Sequence, residues 1–236
     1  MANRSPLPGL VALSRSDPGA AGPALHLGAD ARLSLMRVHE ACGPARRTLA
    51  IWLAGLTQGP VIWIAPDRQP DAPNPDGMMA FADPARFLFV APRRDTDLLW
   101  CAEEVLRAGA VALMVADLPG PPGLTAVRRM HLAAEAGARH AAPPPLGLLL
   151  TPGDGGAPGV ETRWYMAPAH AGDARRWRLE RRRPRMQPPM AWEAPQTGPR
   201  RGLDLVRAKA GDGGEPPPTG RTGMDALAVA NPNTSL

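Results

Sequence analysis

The chain has 236 residues, of which 44% are hydrophobic, so it can form one domain with tails or two small domains around a buried core. Its two cysteines, Cys42 and Cys101, make neither a disulfide framework nor a four-ligand zinc site, and we expect both to be buried thiols. The net charge of +5 is carried almost entirely by arginine and favours nucleic acid or an acidic protein surface as partner, although an arginine-rich coding bias explains the composition equally well.

The two ends of the chain differ from its middle in composition. Residues 1–30 have scattered proline and glycine and no sustained apolar run, which predicts a flexible arm rather than a signal peptide. Residues 31–192 predict one domain, and glycine, proline and scattered charges over 193–236 predict a disordered tail with at most a short helix around 203–209. No apolar run approaches the ~20 residues that cross a bilayer, so we expect a cytoplasmic protein without a membrane partner.

Apolar runs alternate with amphipathic segments in the predicted domain. Continuous apolar runs closed by proline or aspartate are typical of strands buried on both faces of a parallel sheet, and apolar stripes at helical spacing are typical of helices. Gly109 is expected to end the second helix. The alternation predicts an α/β fold with an open, mostly parallel sheet flanked by helices. The predicted strands are 33–39, 60–66, 86–90, 110–117 and 145–152, and the predicted helices are 48–56, 97–107 and 124–136.

After the glycine-rich residues 153–159 the hydrophobic period changes to two. Trp164 and Met166 alternate with polar side chains, and Trp177 and Leu179 alternate with charged ones. Two alternating strands joined by a turn predict an antiparallel hairpin at the edge of the sheet.

The loop between the first strand and the first helix has the setting of a phosphate-binding loop, G-x-x-x-x-G-K-[ST]. Only three residues separate Gly43 from Arg47, the second glycine is missing, and arginine replaces the lysine. A phosphate cradle needs several backbone N–H groups turned inward, which glycine permits, and a lysine that reaches the β- and γ-phosphates. The sequence therefore predicts a nucleotide-site setting without its functional groups.

Polar side chains follow the predicted parallel strands, and ligands of open α/β sheets bind beyond the carboxyl ends of those strands. Arg46 and Arg47, beside a helix N-terminus, would attract phosphate through charge and helix dipole, or they simply solvate the helix start. His39 and Glu40 are expected to make ordinary hydrogen bonds. The predicted site residues are Gly43, Arg46, Arg47, Thr48, Asp67, Asp117 and Thr151.

Residues 95–117 resemble the RecA core around its Walker B strand, and the chain as a whole resembles the ImuA family, RecA-related accessory proteins of bacterial mutagenic translesion synthesis. The resemblance spans residues 33–192. It implies a RecA-like sheet and a role in SOS-induced damage tolerance. The implied partners are an ImuB-like error-prone polymerase subunit, RecA and DNA. The segments that carry it are 38–40, 97–104, 124–135, 159–164 and 177–180.

The same resemblance implies which catalytic groups have changed. Thr48 matches the phosphate-loop hydroxyl and Asp117 the Walker B carboxylate, while Arg47 matches the lysine only after a two-residue deletion. Asp67 stands near the position of the water-orienting glutamate, and Thr151 stands at the polar sensor position. Several losses in one site predict a non-catalytic accessory factor without cofactor or metal. A divergent ATPase is the alternative, and weak nucleotide binding stays open.

Seven arginines lie within residues 175–185, with Trp177 among them. Guanidinium groups pair with phosphates and an indole can stack on bases, so one interpretation is a surface that binds nucleic acid. On this interpretation the protein could also be a nucleic-acid-binding module that has no connection with repair. A second is a surface for an acidic partner. A third is a solvated edge strand whose Trp177 and Leu179 point into the core. The cluster consists of Arg175, Arg176, Trp177, Arg178, Arg181, Arg182, Arg183 and Arg185.

Overall fold

The structure is a computed structural model, and it describes residues 22–28, 30–67, 72–184, 189–196 and 203–208, with 183 and 184 described by their backbone alone. Strands alternate with helices over most of this length. The strands are β1 Ala24–Gly28, β2 Ala31–Ser34, β3 Val38–Cys42, β4 Val61–Ile64, β5 Phe87–Val90, β6 Leu113–Asp117, β7 Leu146–Leu150, β8 Thr162–Pro168, β9 Arg176–Pro184, β10 Met190–Pro195 and β11 Val206–Arg207. The helices are α1 Arg46–Gly55, α2 Pro75–Met78, α3 Asp95–Ala108 and α4 Leu124–Gly137, with a 3-10 turn at Pro84–Arg86.

Nine of these strands form one sheet in the order β11-β10-β9-β8-β3-β7-β6-β4-β5. The six strands from β8 to β5 in this order pair in parallel, whereas β8, β9, β10 and β11 pair antiparallel. We call these two parts the parallel half and the antiparallel half, and they meet where β8 lies beside β3. The mixed α/β architecture with a mostly parallel sheet is therefore confirmed.

Helices cover both faces of the central strands of the parallel half. One core cluster joins α1 and the β1–β2 hairpin to residues such as Leu113 and Val115, and the other joins α3 and α4 to Met114 and Ala116. Because successive side chains of a strand point to opposite faces, both faces of β6 must be apolar. This explains the continuous apolar runs in the sequence.

Gly109 ends α3 as predicted. It adopts φ +62°, and a Cβ there would lie 2.5 Å from the carbonyl oxygen of Gly137, so the residue also permits the close approach of α3 to the end of α4.

The N-terminal part of the domain differs from the prediction. The single strand expected over 33–39 is two strands, because a turn at Leu35–Arg37, with Met36 at φ +60°, separates β2 from β3. Residues 24–28, predicted to belong to a flexible arm, form β1 and pair with β2. Leu25 and Leu27 are buried in the core cluster on the α1 side of the sheet, and this burial stabilises a strand that the scattered proline and glycine do not indicate. Residues 1–21 and 29 of the predicted arm lie outside the described residues.

The predicted C-terminal hairpin is confirmed as β8 and β9, but it is not at the edge of the sheet. β10 pairs with β9, and β11 pairs with β10, so both strands extend the sheet beyond the hairpin. Residues 193–195 of the predicted tail thus belong to a strand, because Trp192 and Ala194 alternate into the core. Residues 206–207 form a strand instead of a helix, and 197–202 and 209–236 lie outside the described residues. None of the described helices has the length and apolar character that crossing a bilayer requires.

Candidate functional site at the carboxyl ends of the parallel strands

A cleft of about 830 Å³ lies at the carboxyl ends of the parallel strands. This is where ligands of open α/β sheets bind, and the loops after β4, β5, β6 and β7 all contribute to it. Arg46, Asp67 and Asp117, three of the predicted site residues, line it together. The other lining residues are Pro66, Pro92, Arg93, Asp95, Leu118, Pro119 and Pro152.

The turn before α1 uses its backbone N–H groups internally. The N–H of Gly43 donates to Gly153 O at 2.8 Å, that of Ala45 to Met166 O at 3.0 Å, and that of Arg46 to Gly43 O at 3.3 Å. Pro44 has no N–H to offer. A phosphate cradle requires such groups to converge on open space, and in this turn they are bonded to protein oxygens instead.

Gly43 is also crowded on its outer side. It adopts φ +87°, and a Cβ at this position would lie 2.6 Å from Met166 O and 2.8 Å from the ring of Tyr165. The strand β8 therefore packs directly on the turn. Glycine at this position therefore allows β8 to pack closely on the turn, and not a phosphate to approach the backbone.

The carboxylate of Asp117 is paired with α1. Arg47 donates from Nε to Asp117 Oδ2 at 2.6 Å, and Arg46 Nε lies 3.9 Å from Oδ1. The Asp117 side chain is only 2% exposed, so this pair is shielded from water on the carboxylate side. A guanidinium group thus occupies the position beside the carboxylate that a cation would need. Thr48 lies half-buried in the first turn of the same helix.

Glu40, in the middle of β3, organises the loop after β7. Its Oε1 accepts from Thr151 Oγ1 at 2.7 Å, from Gly156 N–H at 2.8 Å and from Ala157 N–H at 3.0 Å, while Arg163 on β8 donates to Oε2. Glu40 and Thr151 are fully buried. Thr151 is therefore committed to a buried structural bond and is not among the residues that line the cleft, which corrects its place among the predicted site residues. Glu40 makes hydrogen bonds, as predicted.

His39 is buried where the two halves of the sheet meet. Its Nε2 donates to Ser34 O at 2.9 Å, since a carbonyl oxygen only accepts, and its Nδ1 accepts from Thr162 Oγ1 at 2.6 Å. Trp164 Nε1 donates to the same hydroxyl at 2.6 Å, which leaves the hydroxyl proton for Nδ1 of His39. Burial lowers the pKa of His39 from 6.5 to about 4, so the imidazole is neutral at pH 7.

The two cysteines were predicted to be buried thiols. Cys42 is buried, and its thiol lies 3.5 Å from Trp164 O. Burial, together with the charge of Glu40, raises the pKa of Cys42 to about 12, so the thiol is a poor nucleophile. Cys101 is only half-buried on α3, which departs from the prediction.

The arginine cluster on β9 contains internal ion pairs. Arg178 and Arg182 both donate to Glu180, at 2.7 and 2.9 Å, and Arg182 also donates to Asp154 at 2.7 Å. Burial acts to raise the pKa of Glu180, but the hydrogen bonds from Arg182 and Arg178 outweigh it and lower the pKa. The guanidinium of Arg182 lies 3.5 Å from the ring centroid of Tyr165. Two of the predicted phosphate ligands are thus engaged within the protein.

Trp177 and Arg181 do not belong to an exposed binding surface, which corrects their assignment. Trp177 is buried, with its ring 5.8 Å from that of Phe81. Arg181 is 2% exposed, and its guanidinium lies 5.8 Å from the ring of Trp164 and 5.6 Å from that of Trp192.

Strand periodicity could have predicted this burial, because Arg181 is two residues beyond Leu179 and therefore faces the core with it. The third interpretation of the cluster, with Trp177 and Leu179 in the core, agrees with the burial. Arg175 is exposed and Arg176 half-buried, while Arg185 and the side chain of Arg183 lie outside the described part of the chain.

Among the described residues, no group of three or more histidine, cysteine, aspartate or glutamate side chains could hold a metal ion. Comparison of the chain with protein-family models finds no match, and comparison with curated proteins finds none either. The class of protein that the structure defines is therefore an α/β protein with a mostly parallel sheet and a cleft at its carboxyl edge.

Proposed function

We propose that this protein is a RecA-like accessory factor that does not hydrolyse ATP and that acts in SOS-induced, error-prone translesion DNA synthesis. Its partners would be an ImuB-like polymerase subunit and RecA. The order and spacing of the segments that resemble the ImuA family support the biological role. The mostly parallel sheet, with Arg46, Asp67 and Asp117 at one edge, is the framework that this resemblance requires.

The observation that carries the non-catalytic part of the proposal is the pair between Arg47 and Asp117 at 2.6 Å. In phosphate-loop ATPases a lysine contacts the β- and γ-phosphates and an aspartate helps to hold Mg²⁺. Here Arg47, which matches the lysine only after a two-residue deletion, neutralises Asp117, which matches the aspartate by the same resemblance. The pair removes both functions at once, and no triphosphate is needed to satisfy either charge.

The bonding of the turn supports the same conclusion independently. Productive binding would require Gly43 and Ala45 to release their bonds to Gly153 and Met166. Met166 is buried, and its carbonyl left without a donor would cost about 1–3 kcal/mol. Rearrangement of the turn is thus opposed by the loop after β7 and by β8 together.

The first experiment measures phosphate release from ATP with Mg²⁺ for the wild-type chain and for Asp117→Ala. We expect no turnover above that of Asp117→Ala. Turnover that this substitution abolishes would overturn the non-catalytic proposal and support the divergent ATPase.

The second experiment tests the partners. Co-purification with an ImuB-like polymerase subunit and with RecA, from cells with damaged DNA, is expected to recover a complex. Its interaction surface would include the exposed Arg175 and the half-buried Arg176. We expect the double substitution Arg175→Glu with Arg176→Glu to weaken recovery, whereas Arg128→Glu with Arg139→Glu, exposed on and after α4, leaves it unchanged. No association in damaged cells would contradict the role in translesion synthesis.

A nucleic-acid-binding module unconnected with repair loses support, because Trp177 and Arg181 are buried. Binding to single-stranded DNA that weakens steeply with salt, and that leaves DNA-damage tolerance unaffected when removed, would favour it over the accessory role.

A further inference from the structure

The strand β5 stands at the end of the nine-stranded sheet, and among the described strands only β4 pairs with it. Its four residues, Phe87–Val90, carry no charge. Leu88 and Phe89 are each 55% exposed and, being consecutive, lie on opposite faces of the strand. Edge strands are usually protected by charged residues, proline or a bulge against pairing with another chain, and β5 has none of these between Phe87 and Val90.

The backbone of β5 shows which groups are directed outward. Val90 O accepts from the N–H of Ala65, the residue directly after β4, at 3.0 Å. The backbone groups of Val90 therefore face β4, and by the period of two those of Leu88 do as well. Phe87 and Phe89 therefore direct their backbone groups toward the free edge. The N–H of Phe87 is bonded to Pro84 O. The outward groups are thus the carbonyl of Phe87 and both groups of Phe89.

We propose that β5 is the interface for a second copy of this chain, paired antiparallel across a two-fold axis with Phe89 opposite Phe89 of the other copy. Two residues directly opposite each other in an antiparallel pair either both direct their backbone N–H and C=O toward the partner strand or both direct them away. Phe89 opposite Phe89 of the other copy satisfies this rule, because both direct these groups toward the shared edge. The two copies then exchange both N–H···O bonds at Phe89. The carbonyl of Phe87 accepts from Ala91 N–H of the other copy, and Leu88 packs beside Val90 of the other copy.

The chemistry of the edge favours a second copy over a partner recognised by charge. A two-fold interface places each residue against its own surface, so it must be self-complementary, and an uncharged apolar strand meets that condition. The residues that flank β5 carry both signs, with Asp83 before it and Arg93, Arg94 and Asp95 after it, and Arg94 is paired with Asp97. Arg86 is turned inward, where it donates to Ala54 O and Gly59 O. The flanks therefore present no block of one sign that would attract an acidic or a basic peptide.

A strand of four residues is short, and small interfaces are weak. We expect a dissociation constant on the order of 10 µM, below the affinity of standard-size complexes. The pairing is independent of nucleotide chemistry and of the proposed role in translesion synthesis, so either can fail without the other.

The first test is the mass of the full chain in solution, by light scattering and sedimentation over roughly 1–200 µM, a range centred on the expected affinity. We expect the mass to rise from that of the monomer to twice that value. Phe89→Lys places two like charges beside each other on the axis and is expected to keep the chain monomeric throughout. Leu132→Lys, an equal change at an exposed residue of α4, is expected to leave the dimer intact. Circular dichroism melting checks that both variants fold.

The second test fixes the geometry. Phe89→Cys puts two cysteines directly opposite each other, at the Cα separation of about 5.5 Å that a disulfide tolerates. Leu88→Cys is matched in exposure, but its counterpart lies diagonally across the axis, about 7–8 Å away. We expect mild oxidation to give a covalent dimer of Phe89→Cys only, with the wild-type chain as control for Cys42 and Cys101.

A monomer at every concentration would overturn the proposal, and so would a dimer that Phe89→Lys leaves unchanged. Equal cross-linking of Leu88→Cys and Phe89→Cys would contradict the register. Growth beyond a dimer would contradict the two-fold closure. Protection of Phe89→Cys from alkylation in a monomer would show that another segment of the same chain covers the edge, which also overturns the proposal.

Discussion

The parallel and antiparallel halves of the sheet place their charged residues differently. In the parallel half the strands β4, β6 and β7 are apolar, apart from the carboxylate at the end of β6, and charges lie in the loops around the cleft. In the antiparallel half, charges lie along β9 itself. The difference arises because helices cover both faces of the central parallel strands, so charged side chains are excluded from those strands. An antiparallel strand can leave one face exposed to solvent and can carry charges there.

The comparison teaches that a cluster of charges in sequence is not by itself a charged surface. In the parallel half Arg47 is paired with Asp117, and in the antiparallel half Arg182 is paired with Glu180 and Asp154. In each half, an arginine that was predicted to bind a ligand forms an ion pair within the protein instead. The following substitutions test this difference and the contact between the halves, from the largest expected effect to the smallest.

Glu40→Ala breaks the contact between the halves. We expect a loss of about 4 kcal/mol in the free energy of unfolding, because removing one partner of a buried charge pair costs about 3–5 kcal/mol. Urea unfolding at neutral pH measures it. Glu135→Ala removes a carboxylate that pairs with Arg37 at the surface and is expected to cost less than about 1 kcal/mol. Equal effects of the two substitutions would show that Glu40 does not hold the halves together.

Arg181→Ala distinguishes a structural arginine from a phosphate ligand. Loss of the side chain between Trp164 and Trp192 leaves a cavity, and we expect about 3 kcal/mol of destabilisation in urea unfolding. Arg175→Ala, at an exposed position of the same cluster, is expected to change stability by less than about 0.5 kcal/mol. Unchanged stability of Arg181→Ala together with weaker DNA binding would restore Arg181 to a binding surface.

The pH dependence of stability reports on His39. Its pKa is about 4 in the folded chain and 6.5 in the unfolded one, so the unfolded chain binds a proton first as pH falls. The stabilisation from the neutral imidazole is complete above pH 6.5 and is lost between pH 6.5 and about 4. The loss in the free energy of unfolding is roughly 2 kcal/mol at about pH 5. We expect His39→Gln to remove this part of the slope in urea titrations, and His140→Gln, at an exposed site, to retain it. An identical slope for wild type and His39→Gln would contradict the assignment.

Arg182→Ala tests the outer face of the antiparallel half. Its partners Asp154 and Glu180 are themselves exposed or half-buried, so we expect a loss below about 1 kcal/mol. The effect should shrink further at about 1 M salt, where charges are screened within about 3 Å. A loss that is large and insensitive to salt would mean that packing on Tyr165 dominates.

The sequence was sufficient to predict the parallel half and insufficient for much of the rest. Buried strands such as β6 and the stop at Gly109 are local signals, and the meeting of Arg46, Asp67 and Asp117 follows from the direction of parallel strands. The bonds between Glu40 and the loop at Gly156 join residues 116 positions apart, and no local pattern specifies them.

The strands β1 and β11 were the other source of error. β1 and β11 have five and two residues, and their pairing depends on tertiary contacts rather than on propensity. By contrast, the burial of Arg181 was accessible from the alternation of Trp177 and Leu179, and only the expectation that arginine is exposed concealed it.

The crowding around Gly43 limits what protein engineering could do with this scaffold. Two inserted residues would be needed to give the turn the length of a phosphate-binding loop, and they would have to displace the ring of Tyr165 and the carbonyl of Met166. Tyr165 in turn lies under Arg182, which is bonded to Asp154. Grafting such a loop would therefore require redesign of the neighbouring strand and its ion pairs, so point mutations alone would not convert this turn into a catalytic one.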